Sequence, residues 1–121
     1  MNRGEIWLVQ LNPSVGSEIG KTRPVIIVSN NAIGILPLKV IIPITDWKER
    51  YAIRTWMVQL EPTTDNGLTK TSAADTFQMR SLSQERFVRK LGHLDEESMQ
   101  NIQQALLIVL DIFPYPPRSP L

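Results

Sequence analysis

The sequence predicts a mainly β domain ending in one α-helix, built as a small curled sheet or partly open barrel with the helix packed against it. Two observations carry that expectation. Short runs rich in β-branched and aromatic residues alternate with turn signals as far as residue 91, which is the pattern of a sheet of short strands. From Asp95 the apolar period changes, and Met99, Ile102, Leu106, Val109, Leu110 and Phe113 fall on helical spacing. The 121 residues suit one domain able to bury a core without disulfides. We expect that domain at residues 1–113 and an exposed Pro-rich tail at residues 114–121 (PYPPRSPL).

Residues 4–11 (GEIWLVQL) read as a first strand that stops at the turn signal Asn12-Pro13. Residues 14–22 (SVGSEIGKT) are polar and punctuated by glycine, hence a loop. Residues 24–29 (PVIIVS) form a continuous β-branched run, as in a buried strand, and residues 30–37 a second loop. Residues 38–45 (LKVIIPIT) are a further strand whose Pro43 argues for an edge or a bulge. Residues 53–60 (IRTWMVQL) are a fourth, followed by the Asp65-Asn66-Gly67 turn. Residues 72–82 and 87–91 complete the strands, separated by the polar stretch 83–86. Asp95 suits the helix N-cap, Glu96 and Glu97 suit the positive end of its dipole, and Pro114, Pro116 and Pro117 are expected to stop it.

The chain holds no cysteine. That excludes a disulfide framework, a thiolate zinc site and a thiol nucleophile, and it fits a reducing cytoplasm. The start, MNRGEIWLVQ, lacks the basic and apolar regions of a signal peptide, and no apolar run approaches a membrane span. We therefore expect a cytoplasmic protein with no membrane partner. The net charge of +1 hides an asymmetry: residues 1–94 carry twelve Lys/Arg against eight Asp/Glu, and four acids follow. The body is able to hold a polyanion in a local basic groove.

Residues 16–22 (GSEIGKT) look like half of a nucleotide-binding phosphate loop. That motif needs four residues between its first glycine and Gly-Lys-Ser/Thr, and a helix after it. Here three intervene, and Arg23-Pro24 and a β-branched run follow, so nucleotide binding is not expected. His93 is the single histidine, with no second ligand at metal-binding spacing, and no nucleophile-elbow motif supports a Ser-His-Asp triad. No cofactor or metal is expected. What remains is polar groups at strand ends. Arg23, held by Pro24, has five donors in a rigid fork suited to phosphate. Thr45 places a hydroxyl at the end of the next strand. Ser17 and Glu18 add a hydroxyl and a carboxylate on the glycine-punctuated loop, while Trp47, Tyr51, Trp56 and Phe77 are rings of the kind that stack on bases. Taken singly, each has a bland reading as a surface arginine, a turn threonine or a core aromatic.

Their joint occurrence is more specific. The segment GEIWLVQLNPSVGSEIGKTRPVIIVSN, followed by IIPIT, GLTKTSAA, QMRSL and a terminal helix, resembles the MazF/PemK/Kid family of toxin endoribonucleases over residues 3–112. The resemblance implies an SH3-like barrel of the MazF/PemK/CcdB type with a C-terminal helix, working as a homodimer. It also implies metal-independent, sequence-specific cleavage of single-stranded RNA, and inhibition by a cognate antitoxin protein. The family's R-P arginine and P-x-T threonine act at the scissile phosphate and match Arg23 and Thr45. The G-S-E glutamate matches Glu18, and Gln78 and Arg80 match a Q-x-[RK] pair beside the RNA groove. Ser17, Lys21, Trp47, Phe77, Gln78 and Arg80 are the candidate RNA contacts. One position departs from the pattern: the residue before that glutamine is usually acidic, and here it is Phe77. Asp75 lies two residues upstream and on an extended strand would face the same side as Phe77. Glu18 and Asp75 both stand as candidate bases.

On this resemblance and with no metal, the RNA 2′-hydroxyl is expected to attack the adjacent phosphorus, leaving a 2′,3′-cyclic phosphate and a 5′-hydroxyl. Two other readings compete. A CcdB-like, gyrase-targeting toxin has the same fold, but its helix ends in a Trp-Gly-Ile tail, absent from FPYPPRSPL. A catalytically weakened RNA-binding relative is the reading Phe77 invites.

Overall fold

The computed structural model describes residues 1–34 and 36–113. Seven strands form one open antiparallel sheet: β1 Glu5–Gln10, β2 Thr22–Ile27, β3 Leu38–Asp46, β4 Met57–Leu60, β5 Ser72–Asp75, β6 Arg80–Ser83 and β7 Phe87–His93. Their order is β4-β5-β3-β2-β1-β7, and β6 pairs with β3 off this path. One helix, α1 (Glu96–Val109), follows. The expected architecture therefore holds. Among the described residues, no helix is long and apolar enough to cross a membrane.

The unbroken apolar run of β2 has a direct consequence. A strand with no polar alternation must be covered on both faces. Ile26 joins Ile42, Ile44, Ile102 and Ala105 in a core beneath α1. Val25 and Ile27 point the other way, into a second core with Val9, Leu11, Ile41 and Leu82. Trp7 and Phe87 pack on that second core and meet edge to face at 5.8 Å. The helix thus seals one face and the curl of the sheet seals the other.

β3 is the corner of the molecule. Its Leu38–Ile41 half pairs with β6, and its Ile44–Asp46 half pairs with β5. Going from Ile44 to Ile41 advances three residues, while the partner advances six, from Ala74 to Arg80. The surplus is taken up by a 3-10 turn, Thr76–Gln78, opposite Pro43. Pro43 has no N–H to give at this point. The irregularity expected at Pro43 is therefore present, but it falls on the neighbouring strand, and Pro43 itself is buried in a central strand. The single strand expected over residues 72–82 is corrected accordingly to two strands and a turn.

Residues 53–60 also differ from expectation. The stretch opens with the end of a 3-10 helix, Glu49–Ile53, and β4 begins only at Met57. Tyr51 decides this: it is buried, stacks edge to face on Trp47 at 5.9 Å, and carries the Arg50 and Arg54 guanidinium groups over its ring. The Asp65-Asn66-Gly67 turn forms as expected. Buried Asn66 organises it, accepting from Thr63 N and Leu68 N and donating to the Glu61 carbonyl.

Asp95 caps α1, accepting from Ser98 N at 3.1 Å and from the Ser98 hydroxyl at 2.7 Å. Those bonds, the hydroxyl's first, hold its carboxyl below the usual carboxylate range. A lowered folded-state pKa stabilises the fold above the unfolded pKa and ceases to do so as pH falls through the folded one. Asp95→Ala is expected to cost about 1 kcal/mol at neutral pH, with the difference from wild type shrinking in acid. Urea unfolding at pH 7 and at pH 3 checks both. The other end of the helix is a correction. Helix α1 ends at Val109, ahead of the prolines, in a Schellman turn: Asp111 N donates to Ile108 O, and Ile112 N to Leu107 O, with Asp111 at φ 54°. Leu110 and Phe113 lie past the last turn and are exposed. The prolines and the expected tail fall outside the described residues.

Candidate active site

The β2–β3 ladder runs from Ile27–Ile41 to Val25–Pro43 and stops. Pro24, which stands opposite Ile44 in this register, lacks the N–H that would carry it further. Continuing the same register by two residues sets Arg23 opposite Thr45, where the sheet has opened. Both line one cleft of ≈ 270 Å3, together with Asp46, Lys70, Arg89 and the backbone of Gly67. Leu8, Ile44 and Leu91 are among its apolar lining residues. Arg23 makes one hydrogen bond among the described residues, from Nε to the Gly20 carbonyl at 3.4 Å. Its terminal donors are left to meet a ligand. Asp46 is bound to Lys70 at 2.9 Å. The Lys70 hydrogen bond, with Arg23 and Lys48 nearby, holds its carboxyl below the usual range. Three cations against one acid give this cleft the local positive surplus sought in the sequence.

A second cleft of ≈ 550 Å3 lies next along β3, with Pro43 among its lining residues. One side is the loop between β1 and β2, through Val15, Ser17, Glu18 and Ile19. The other is Phe77, Gln78, Met79 and Arg80. The loop is a flap closed at its base, where Lys21 N donates to Asn12 Oδ1 and Leu11 N to Lys21 O, each at 2.8 Å. Glu18 Oε1 accepts from Val15 N at 2.7 Å within the flap. Arg80 has no ion-pair partner among the described residues, and Phe77 is 70% exposed, 6.2 Å from the Trp56 ring.

The family model described as a PemK-like, MazF-like toxin of type II toxin-antitoxin systems matches residues 2–110. The chain belongs to this family. The toxin is 31% identical to endoribonuclease MazF9 of Mycobacterium tuberculosis, with 93% of this chain and 98% of that protein covered. It is 30% identical to endoribonuclease EndoA of Bacillus subtilis, with 95% and 98% covered. Among solved structures it resembles MazF of Deinococcus radiodurans at a TM-score of 0.77, 20% identity, covering 93% of this chain and 97% of that one. It also resembles an endoribonuclease in complex with its cognate antitoxin from a mycobacterial species, at a TM-score of 0.75 and 23% identity, covering 96% and 99%. These two structural likenesses establish the fold.

In this toxin the sequence candidates separate into groups. Arg23 and Thr45 share the first cleft; Ser17, Glu18, Phe77, Gln78 and Arg80 share the second. Lys21 lines neither: at φ 67° it forms the base of the flap. Trp47 lines neither and is packed on Tyr51. Asp75 is 6% exposed in β5, with Oδ1 accepting from Phe77 N and Oδ2 from Gln78 Nε2. The extended geometry that would set Asp75 and Phe77 on one side does not exist, because the 3-10 turn intervenes and swings Phe77 outward. Asp46, Lys70 and Arg89 were missed. Arg89 is distant in sequence and joins the cleft only through the β1–β7 pairing, where it faces Leu8. Among the described residues, no three His, Asp or Glu side chains gather as a metal site.

Proposed function

We propose that this toxin-type endoribonuclease cuts single-stranded RNA at short sequences without a metal, using the Arg23–Thr45 cleft as the phosphate site and the flap cleft for neighbouring nucleotides. The observation that carries this reading is the register that sets Arg23 opposite Thr45 in a cation-lined opening of the sheet. The Arg23 fork neutralises the charge that grows on the phosphorane, and the Thr45 hydroxyl donates to a non-bridging oxygen. The 2′-oxygen bonds to phosphorus as its proton passes to Glu18, the exposed carboxylate on the flap. The bond to the 5′-oxygen breaks, and that oxygen takes a proton from Arg23, since a leaving alkoxide is more basic than neutral guanidine. Asp46 shares the cleft, but its ion pair with Lys70 makes it a weak proton acceptor.

The same reading includes a homodimer acting in the cytoplasm and a cognate antitoxin that covers the RNA clefts. The groove between β4 and α1 mixes apolar Ile53, Met57 and Ile108 with polar Arg54, Gln59 and Gln104, and its Ile53, 90% exposed, is the apolar side chain we assign to the contact with a second copy.

The test is incubation of the protein with long unstructured RNA in excess chelator, beside the same RNA carrying a 2′-deoxy nucleotide at the cut site. Cleavage of the first alone, yielding cyclic phosphate ends, is the expected result. Cleavage of the 2′-deoxy site sinks the mechanism. Binding without cleavage marks a weakened RNA-binding relative, and neither binding nor cleavage favours the protein-targeting toxin.

A further inference from the structure

One carboxamide ties the flap to the sheet. Gln78 Oε1 accepts from Ile19 N at 2.6 Å, and Gln78 Nε2 donates to the Ser17 carbonyl at 3.2 Å. These two backbone groups belong to the residues on either side of Glu18. The same Nε2 donates to Asp75 Oδ2 at 3.3 Å. A backbone N–H needs an acceptor, while a carbonyl and a carboxylate need donors, so a single orientation of the amide satisfies all three. Asp75 sets that orientation from a buried place in β5, with its other oxygen engaged by Phe77 N. Burial pushes the Asp75 carboxyl up, opposed by the bonds from Phe77 and Gln78 and by the charge of Arg54. Among the described residues, the remaining side-chain bond from the sheet to the stretch between Ser14 and Gly20 is the longer one from Arg23 to Gly20. The Ile19 side chain also packs on the second core, so the gap between the flap and the Phe77–Arg80 side of the second cleft is set by that packing and by the Gln78 amide, which alone of the two bonds the backbone on both sides of Glu18.

We propose that Gln78 is a positioning residue that holds Glu18 in place through the flap backbone, and that Asp75 acts through Gln78 without touching RNA. This rests on the endonuclease reading with Glu18 as proton acceptor. Its consequence is that the loss of the family's acidic residue at Phe77 leaves the proton acceptor intact, because the carboxylate of β5 orients an amide.

A double-mutant cycle of Asp75→Asn and Gln78→Met tests this, read by amide hydrogen exchange at Ile19 and by the pH–rate profile of RNA cleavage. Gln78→Met is expected to speed Ile19 exchange by tenfold or more and to lower kcat more than it raises KM. The shape of the pH–rate profile is expected to stay unchanged. Asp75→Asn is expected to produce a smaller version of the same changes, and to cost nothing further in the Gln78→Met background. Loss of activity in Asp75→Asn with Ile19 exchange unchanged and the acidic limb abolished would make Asp75 the base and overturn the proposal. Unchanged Ile19 exchange in Gln78→Met overturns it as well. The exchange measurement needs no RNA, so a protein that cuts nothing defeats the endonuclease reading while the latch is still decided.

Discussion

Arg23→Ala is expected to lower kcat on a single-stranded RNA substrate by about 10²–10³-fold, the range found when one preorganised donor to a developing oxyanion is removed. The change falls on kcat because the guanidinium meets most charge in the transition state. Arg23→Lys keeps the charge but loses the fork, so it is expected to recover part of the loss and not all of it. Neither variant should move the unfolding midpoint much. Arg23 is half-buried, and its one hydrogen bond among the described residues is the 3.4 Å contact to Gly20. Single-turnover cleavage with chemical unfolding measured alongside separates the two effects. Full activity in Arg23→Ala would remove the phosphate site from this cleft.

The largest effect on stability is expected at Gly67. It has φ +70°, and a Cβ built on it would stand 2.2 Å from the Leu91 carbonyl oxygen of β7. Both the left-handed backbone and the collision with backbone must be met, for a total of about 3 kcal/mol in Gly67→Ala. The contact cannot be relieved by rotating a side chain. The loop has to lift from β7, breaking the His93 N to Asp65 O bond of 2.9 Å. Because Gly67, Leu68, Thr69 and Lys70 line the Arg23–Thr45 cleft, activity should fall with stability. Gly16 is the control: at φ +58° a Cβ added there would meet nothing within 4 Å, so Gly16→Ala carries only the conformational cost. Equal unfolding midpoints for the two variants would refute the contact argument.

How far the molecule was legible before folding depends on the range of the interactions involved. The helix was read nearly to its ends because its signals are local: Asp95 caps within one turn, and Met99, Ile102 and Leu106 fall on helical spacing. Its C-terminus was misplaced because the Schellman turn at Asp111 lacks the glycine that announces such turns. The β-branched run of β2 declared a strand buried on both faces. The break between β5 and β6 was not readable from residues 72–82, since it answers to Pro43 on another strand. The candidate site divides in the same way. Arg23, Thr45, Glu18, Gln78 and Arg80 were found as motif positions, whereas Asp46, Lys70 and Arg89 carry no motif.

The sequence by itself determined the mainly β class, the terminal helix, the family and the polar residues that gather at the clefts. These rest on periodicity, turn chemistry and local spacing, which act over a few residues. Only the tertiary structure decided that Arg23 faces Thr45, that Arg89 joins them, and that Asp75 is turned inward to hold Gln78 rather than outward beside Phe77. The meeting of Arg23, Thr45 and Arg89 follows from strand register and from a ladder that Pro24 interrupts, and the place of Asp75 follows from its pairing with Met57 on β4; all of these join residues far apart in the chain.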